Sequence, residues 1–416
     1  MRRLRLSARV LGVEQTVVES SRFDTAANAF VVSVRPHAAI LGRCGVCRRS
    51  CGGYDRGRGR RRWRSLDVGL VACFLEADLP RVRCPEHGVV VSWVPWARHG
   101  AGHTLPFDQA VAWKTTRMSK TGVAYELRIS WATVGQVIAR VTADLDAQAE
   151  DPYAHVRRIG IDEVSYKRGY KFLTVVVDHD TRRLLWIAEG HSKAVLSRFF
   201  TEMGPQRCAA LELISADGAD WIFHAVQDHC PQAKICLDPF HVVSWASKAL
   251  DEVRRGMWRA IRRTGQKMAA ADLRGARYAL LKNPENLTDK QQTALAGIQA
   301  TNQPLYRAYL LKEQLRVIFT AGGGAERALL LDAWLRWAAR CQIPTFVDLA
   351  RRIRTYFRDD IINTLTHRLS NGLIESTNTK IRLLTRMAYG FKSAAALIAL
   401  VKLHVGAHNI GLPGRA

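Results

Sequence analysis

An aspartate in the middle of an apolar strand constrains this chain more than any other feature. Residues 156–240 read as strand, strand, strand, helix, strand, helix, strand. The strands are Arg157–Val164, Tyr170–Asp178, Arg183–Glu189, Leu211–Ala216 and Lys234–Leu237, and the helices Ser192–Met203 and Ala219–His229. Asp162, in Ile159-Gly-Ile-Asp-Glu163, falls mid-strand, where an acid is unfavourable without a partner. Asp217 follows the run Leu211-Glu-Leu-Ile-Ser-Ala216, at the C-terminal end of a strand, where sites of α/β sheets gather. Glu375 lies in Asn371-Gly-Leu-Ile-Glu-Ser-Thr-Asn-Thr-Lys-Ile-Arg382. On a helix it shares a face with Asn378 or Thr379, Arg382 and Arg386, leaving Leu373, Ile374, Ile381 and Leu384 for the buried side. Singly, each acid reads as a turn, a cap or a salt bridge. Their order along one frame points instead to hard cations, which prefer carboxylate oxygens and leave positions open for water and phosphate. Cutting a phosphodiester with two metals about 3.5–4 Å apart needs such acids, converging from rigid elements.

Charge gives the same direction. Sixty-two Lys+Arg against 37 Asp+Glu leave +25 at pH 7, a surface that binds a polyanion by releasing its counterions. The excess is spread along the chain, whereas membrane binding concentrates it in one amphipathic helix or tail. No apolar run approaches the roughly 20 residues of a membrane span. The basic start, Met1-Arg-Arg-Leu-Arg-Leu, is interrupted by polar residues before any signal-peptide core forms. A cytoplasmic, nucleoid-associated protein that binds nucleic acid is expected.

With 416 residues, about two to four domains are expected. Residues 1–36 alternate as short strands, Asp151-Pro152 marks a boundary, and Val242–Ile361 is helical. Breaks within that helical stretch fall at Asn283-Pro284, Gln303-Pro304, Gly322-Gly-Gly324 and Ile343-Pro344. A last helical segment runs from Asn371 to His408. Of the nine cysteines, Cys208, Cys230, Cys236 and Cys341 sit among apolar residues and read as buried thiols. Cys44-x-x-Cys47 and Cys84-x-x-His87 are instead two ligand pairs with the spacing of a tetrahedral, structural zinc, with Cys51 as a substitute ligand. Between the pairs runs Arg56-Gly-Arg-Gly-Arg-Arg-Arg-Trp-Arg64, read as a loop whose Arg56, Arg58, Arg60, Arg61, Arg62 and Arg64 contact DNA phosphate. Phe107–Arg117, Lys120–Leu127 and Trp131–Val141 have helix-turn-helix rhythm. Ser130 is placed as N-cap of the third helix, whose Trp131, Thr133, Gln136 and Arg140 would face a major groove.

Taken together, these pieces resemble the ISL-three family of insertion-sequence transposases. The likeness is carried by the Cys-x-x-Cys and Arg81-Val-Arg-Cys84 segment, the helix-turn-helix, Gly160-Ile-Asp-Glu163, Leu237-Asp-Pro-Phe-His-Val-Val243 and Ser370-Asn-Gly-Leu-Ile-Glu-Ser-Thr-Asn378. It covers the chain from end to end. His87 stands where the family commonly has a cysteine, and still ligates zinc.

The resemblance implies a multidomain α/β protein with an RNase H-like catalytic core interrupted by an all-α insertion. The implied divisions are 1–100, strands and zinc domain; 101–150, helix-turn-helix; 155–244, first part of the core; 245–365, insertion; and 366–416, C-terminal core helices. It also implies Asp162, Asp217 and Glu375 as a DDE triad holding two Mg²⁺ (or Mn²⁺), with Asp238 and His241 accessory. Asp238 competes for the second position because it too ends an apolar strand. Phosphoryl transfer without a covalent enzyme intermediate is expected, on double-stranded DNA carrying terminal inverted repeats and on target DNA, by at least a homodimer. Arg382 and Arg386 would meet phosphate. Three rivals are a tyrosine recombinase acting through Tyr389, a general RNase H-like nuclease, and an inactive DNA-binding regulator derived from a transposase.

Overall fold

The computed structural model describes residues 8–406 and 410–413, with backbone alone at 324–325. The basic start at Met1–Leu6 and the expected helix end at His408 lie outside the described residues. By its contacts the chain forms two units, Met1–Glu150 with Leu384–Ala416, and Asp151–Leu383. The division at Asp151 is the boundary that Asp151-Pro152 suggests.

In the first unit, β1 (Thr16–Asp24), β2 (Ala29–Pro36), β4 (Arg60–Val68) and β5 (Val71–Asp78) form a sheet ordered β1-β2-β5-β4. A second sheet, β3-β6-β7, joins β3 (Gly52–Asp55), β6 (Arg81–Cys84) and β7 (Gly88–Val91). Half of the arginine-rich segment is therefore strand and not loop. Arg60–Ser65 pair residue by residue with Asp78–Cys73, because Trp63 is an apolar anchor that packs edge-on against buried Trp96. Three helices follow, α1 (Leu105–Thr115), α2 (Lys120–Leu127) and α3 (Trp131–Gln148). The hydroxyls of Thr104, Ser119 and Ser130 cap them, each accepting an N–H of the first turn, as expected for Ser130.

The second unit is built on five strands: β8 (Arg158–Lys167), β9 (Lys171–Asp178), β10 (Arg183–Glu189), β11 (Leu213–Ala216) and β12 (Lys234–Leu237). Their order is β10-β9-β8-β11-β12, an antiparallel meander of the first three extended by two parallel strands. Helices α4 (Lys193–Met203), α5 (Pro205–Ala209) and α6 (Asp220–His229) belong to the connections between β10, β11 and β12. Leu196, Phe199 and Phe200 of α4 and Ile222 and Val226 of α6 form one core with Ile159, Ile161, Val176 and Ile214 of the sheet.

From α7 (Pro239–Arg263) onward, every described element of this unit is helical: α8 (Lys267–Gly275), α9 (Arg277–Leu281), α10 (Asp289–Thr301), α11 (Gln303–Ile318), α12 (Gly324–Arg340), α13 (Pro344–Arg352) and α14 (Arg358–His367). The four expected breaks all fall at starts of short or long helices, since Pro is tolerated in a first turn but not beyond. A π-type turn at Ile353–Phe357, which sequence did not foretell, links α13 to α14. Asn363 and Thr364 of α14 donate to the Ile235 and Leu237 carbonyls at 3.0 and 2.8 Å, covering the open edge of β12.

The last helical segment is two helices, α15 (Gly372–Met387) and α16 (Ala394–Val405). Tyr389 and Gly390 take positive φ of 54° and 98°, and Gly390 N–H returns to the Thr385 carbonyl at 2.9 Å, which ends α15. The expected C-terminal core piece 366–416 is accordingly divided. Leu384–Ala416 belongs to the first unit, where α16 lies against α3: Thr142 donates to the Ala399 carbonyl at 3.2 Å and Lys402 pairs with Asp146 at 2.7 Å. The cause is composition. Leu397, Leu400, Val401 and Leu403 make α16 apolar almost all round, so it needs cover on several sides. Among the described residues, no helix is long and apolar enough to cross a membrane.

Candidate active site and metal centres

In the second unit, β11 pairs with β8 only from Arg158 to Gly160, so β8 runs on past the end of its neighbour. Asp162 and Glu163 sit on that overhang, and Asp217 is the first residue after β11. Ligand oxygens of these three acids all lie within 4.8 Å of one another. Each aspartate is held by backbone: Asp162 Oδ1 accepts the Glu163 N–H at 2.8 Å, and Asp217 Oδ1 accepts the Ala219 N–H at 3.0 Å. Gly218 is required beside Asp217, because a Cβ there would come within 2.7 Å of the Trp245 ring.

Crowding and burial raise the cost of ionising this group. Burial pushes the Asp162 carboxyl up to about 6, with the Asp217 charge adding to the rise against the opposing Glu163 N–H. Burial and the two aspartates push Glu163 up to about 7, and burial raises Asp217 as well. Glu163 Oε2 is buried with no hydrogen-bond partner. Three desolvated acids with an orphaned oxygen are the donor set of a hard divalent cation, so the residues present fit such an ion.

Asp238 is 3% exposed at the end of β12 and stands beside this group. Its Oδ2 contacts His241 Nδ1 at 3.1 Å, which raises the imidazole, and its Oδ1 accepts the Asn371 N–H at 3.2 Å. Both Asp238 oxygens are thus engaged. From α15, Asn378 is fully buried and donates from Nδ2 to Asp162 Oδ2 at 2.8 Å. Arg382 lowers the Asp162 carboxyl by its charge. Glu375 is in the first turn of the same helix, exposed and outside the group of three. The sequence frame did not single out Glu163 as a site residue, and Asn378 was only one of two alternatives on its helix face.

In the first unit, Cys44, Cys47, Cys84 and His87 come together as the spacing foretells. Cys44 Sγ is 3.8 Å from His87 Nδ1, Cys47 Sγ is 3.7 Å from Cys84 Sγ, and Cys84 Sγ is 3.5 Å from His87 Nδ1. Edges of a tetrahedron with metal–ligand bonds of about 2.0–2.3 Å are about 3.3–3.8 Å, so four ligands at these separations fit one zinc-sized ion. His87, with smaller backbone contributions, holds the Cys84 thiol down to about 6. Cys51 donates instead to the Arg49 carbonyl at 3.3 Å and is outside the group.

The expected DNA-contacting arginines divide. Arg56, Arg58 and Arg61 are exposed. Arg60 donates to Ser33 Oγ at 3.2 Å, and Arg62 forks onto Glu76, with Nε at 2.8 Å. Arg64 is buried, bonded to Asp67 and lying over the Phe107 ring at 5.1 Å. On α3, Trp131 and Gln136 are exposed and Thr133 half-buried, while Arg140 reaches buried Asp108 with Nε at 3.2 Å and Nη2 at 3.1 Å. Arg386 is exposed on α15, and Tyr389 is 98% exposed in the turn after it.

Three family profiles match the chain. One is described as a transposase and spans residues 159–401; a second is the helix-turn-helix domain of transposase family ISL3, over residues 94–142. The third is the zinc-finger of transposases IS204/IS1001/IS1096/IS1165, over residues 41–87. The transposase for insertion sequence element IS1557 of Mycobacterium tuberculosis is 52% identical, across 100% of this chain and 98% of that protein. The transposase for insertion sequence element IS1001 of Bordetella parapertussis is 28% identical over 80% of this chain and 81% of its own.

Proposed function

Given that the chain belongs to the ISL3 family of insertion-sequence transposases, DDE-type enzymes, we propose that Asp162, Asp217 and Glu375 are its catalytic acids. The observation that carries this reading is the convergence of Asp162 and Asp217 where β8 outruns β11. Asp238, with both oxygens engaged by His241 and Asn371, fits an accessory place better than that of second acid. Glu375 sits one helical turn before Asn378, which already touches Asp162. A rotamer change and a bound cation would bring it inward.

Two divalent cations, Mg²⁺ or Mn²⁺, would neutralise charge at the scissile phosphate and ionise the attacking water or DNA 3′-OH. The chain's own part is to fix that centre. Backbone N–H groups orient the two aspartates, Asn378 holds Asp162, and Arg382 offsets negative charge where phosphate approaches. His241, kept protonated further up in pH by Asp238, adds a second positive charge beside Asp162 and Asp217.

The meander extended by parallel strands supports an RNase H-like core over 155–244, closed by residues of 366–416 and interrupted by a helical insertion at 245–365. A structural zinc at Cys44, Cys47, Cys84 and His87 would hold the 1–100 domain. That domain and the 101–150 helix-turn-helix would read terminal inverted repeats, with Trp131, Thr133 and Gln136 at the bases and Arg56, Arg58 and Arg61 on phosphate. Pairing two ends, and joining them to target DNA, makes at least a dimer the working form.

The test is strand cleavage, in Mg²⁺, of DNA carrying the element's ends. Asp217→Ala should fall about a thousandfold, near 4 kcal/mol of lost transition-state stabilisation, and Asp238→Ala much less. A dead Asp238→Ala with an active Asp217→Ala would transfer the second metal position to Asp238. Specific end binding with no cleavage by the wild type would favour the regulator reading.

A further inference from the structure

Glu163 has no role in the triad just described, yet its carboxylate is one of the three whose oxygens cluster within 4.8 Å. In an ordinary strand its side chain would point away from that of Asp162. Here β8 has passed the last residue of β11 that pairs with it, and a Glu163 oxygen lies in the same cluster as those of Asp162 and Asp217. The oxygens differ in what holds them. Asp162 accepts N–H groups from Glu163 and Asn378, and Asp217 accepts one from Ala219. Glu163 Oε2 is buried without any partner, which is unfavourable unless something binds it.

A second observation points to what binds it. Asn378 is fully buried, its Nδ2 lies on Asp162 Oδ2, and its Oδ1 is left without a partner beside the same acids. Two orphaned oxygens on side chains that adjoin or belong to one group of acids call for a positive ligand, since oxygens cannot hydrogen-bond to one another without a proton. On an octahedral Mg²⁺ with bonds of about 2.1 Å, ligand oxygens are about 3.0 Å apart when cis and about 4.2 Å when trans, so three acids within 4.8 Å would draw together to share one ion.

We infer that Glu163 is a direct ligand of one divalent cation, so that strand residues Asp162, Glu163 and Asp217 form a cation site before Glu375 contributes. The inference rests on the metal-dependent reading above and adds a fourth acid to it. Glu375 then completes the centre for the second ion or for the DNA-bound state.

Mn²⁺ titrated into full-length, zinc-loaded protein, with free Mn²⁺ followed by electron paramagnetic resonance, tests this without any turnover. Wild type and Glu375→Gln should bind the tightest Mn²⁺ within threefold of each other. Glu163→Gln and Asp162→Asn should both weaken it at least tenfold. Glu163→Asp, which keeps the charge but shortens the reach, should weaken it at least fivefold; wild-type affinity there would mean that charge and not ligation matters. Glu163→Gln loses no hydrogen bond from Oε2, so its metal-free melting temperature should equal or exceed that of wild type, and a lower one would assign Glu163 to the fold. If Asp162→Asn weakens binding and Glu163→Gln does not, the inference fails and the triad stands. Equal weakening by Glu163→Gln and Glu375→Gln would remove the preformed site. If Asp162→Asn also binds normally, the triad itself is misplaced.

Discussion

At the scale of single residues, Arg140 shows how a helix face can mislead. Trp131, Thr133, Gln136 and Arg140 follow one another along α3 at spacings that suit a groove-reading surface. Arg140, however, forks onto Asp108, which is fully buried and also takes Arg98 Nη1 at 2.8 Å. Asp108 lies 32 residues earlier, and no local pattern announces the pairing. Replacing Arg140 by Ala should therefore cost about 3 kcal/mol, the low end for breaking a buried pair because Arg98 remains. Gln136→Ala should leave the melting temperature unchanged and weaken specific binding roughly tenfold, as for a lost base contact of about 1–3 kcal/mol. Thermal melts and competition binding with an unrelated duplex separate the two. An Arg140→Ala protein that melts normally and loses only specificity would return Arg140 to the groove. Glu163 is the opposite error. Its neighbour Asp162 was legible because an acid mid-strand needs a partner, but alternation along a strand gives no reason to group Glu163 with it, and the structure places oxygens of both in one cluster with Asp217.

At the scale of elements, the five strands and the two expected helices of 156–240 were legible to within three residues, because apolar runs there are short and bounded by clear caps and turns, whereas the short helix Pro205–Ala209 was not foreseen. Three helix starts in the later region, at Gln303, Gly324 and Pro344, were legible for a related reason, since proline and glycine mark them, whereas those at Lys267, Arg277, Asp289 and Arg358 were not. Tertiary cover decided the remainder. The strand at Arg60–Val68 carries too many charges to look like one, and forms because β5 pairs along it and Glu76 receives Arg62 and Arg22. The group of Cys44, Cys47, Cys84 and His87 has the clearest sequence signature. Two ligand pairs far apart in the chain close on one point, and loop-closure cost grows only logarithmically with the intervening length. A zinc there would contribute on the order of 10 kcal/mol. Cys44→Ser should reduce bound zinc from one equivalent to a small fraction by metal analysis, and abolish specific end binding. Asp151–Leu383 should keep its own melting transition. Unchanged zinc content would refute the assignment of these ligands.

At the scale of the whole molecule, the excess of +25 identifies a polyanion partner but not where it lies. Much of the positive charge is internally paired. Arg62 and Arg22 meet Glu76, Arg81 meets Asp55, Arg158 meets Asp180, and Arg358 meets Asp332. Such arginines release few counterions, because their charge is already partly neutralised. Affinity should then depend on a smaller exposed set, of which Arg56, Arg58 and Arg61 are members in the first unit. Each phosphate contact contributes about 0.9 to the slope of log K against log salt on duplex DNA. The triple replacement of Arg56, Arg58 and Arg61 by Ala should thus flatten that slope by up to about 2.7, nearly equally for specific and unrelated duplexes. Arg62→Ala should change the slope little and instead lower the melting temperature, since it strips a partner from the nearly buried Glu76 carboxylate. Slopes measured from about 0.05 to 0.3 M salt decide the matter. A triple variant with the wild-type slope would mean that these arginines face only water, and that the polyanion runs along another surface.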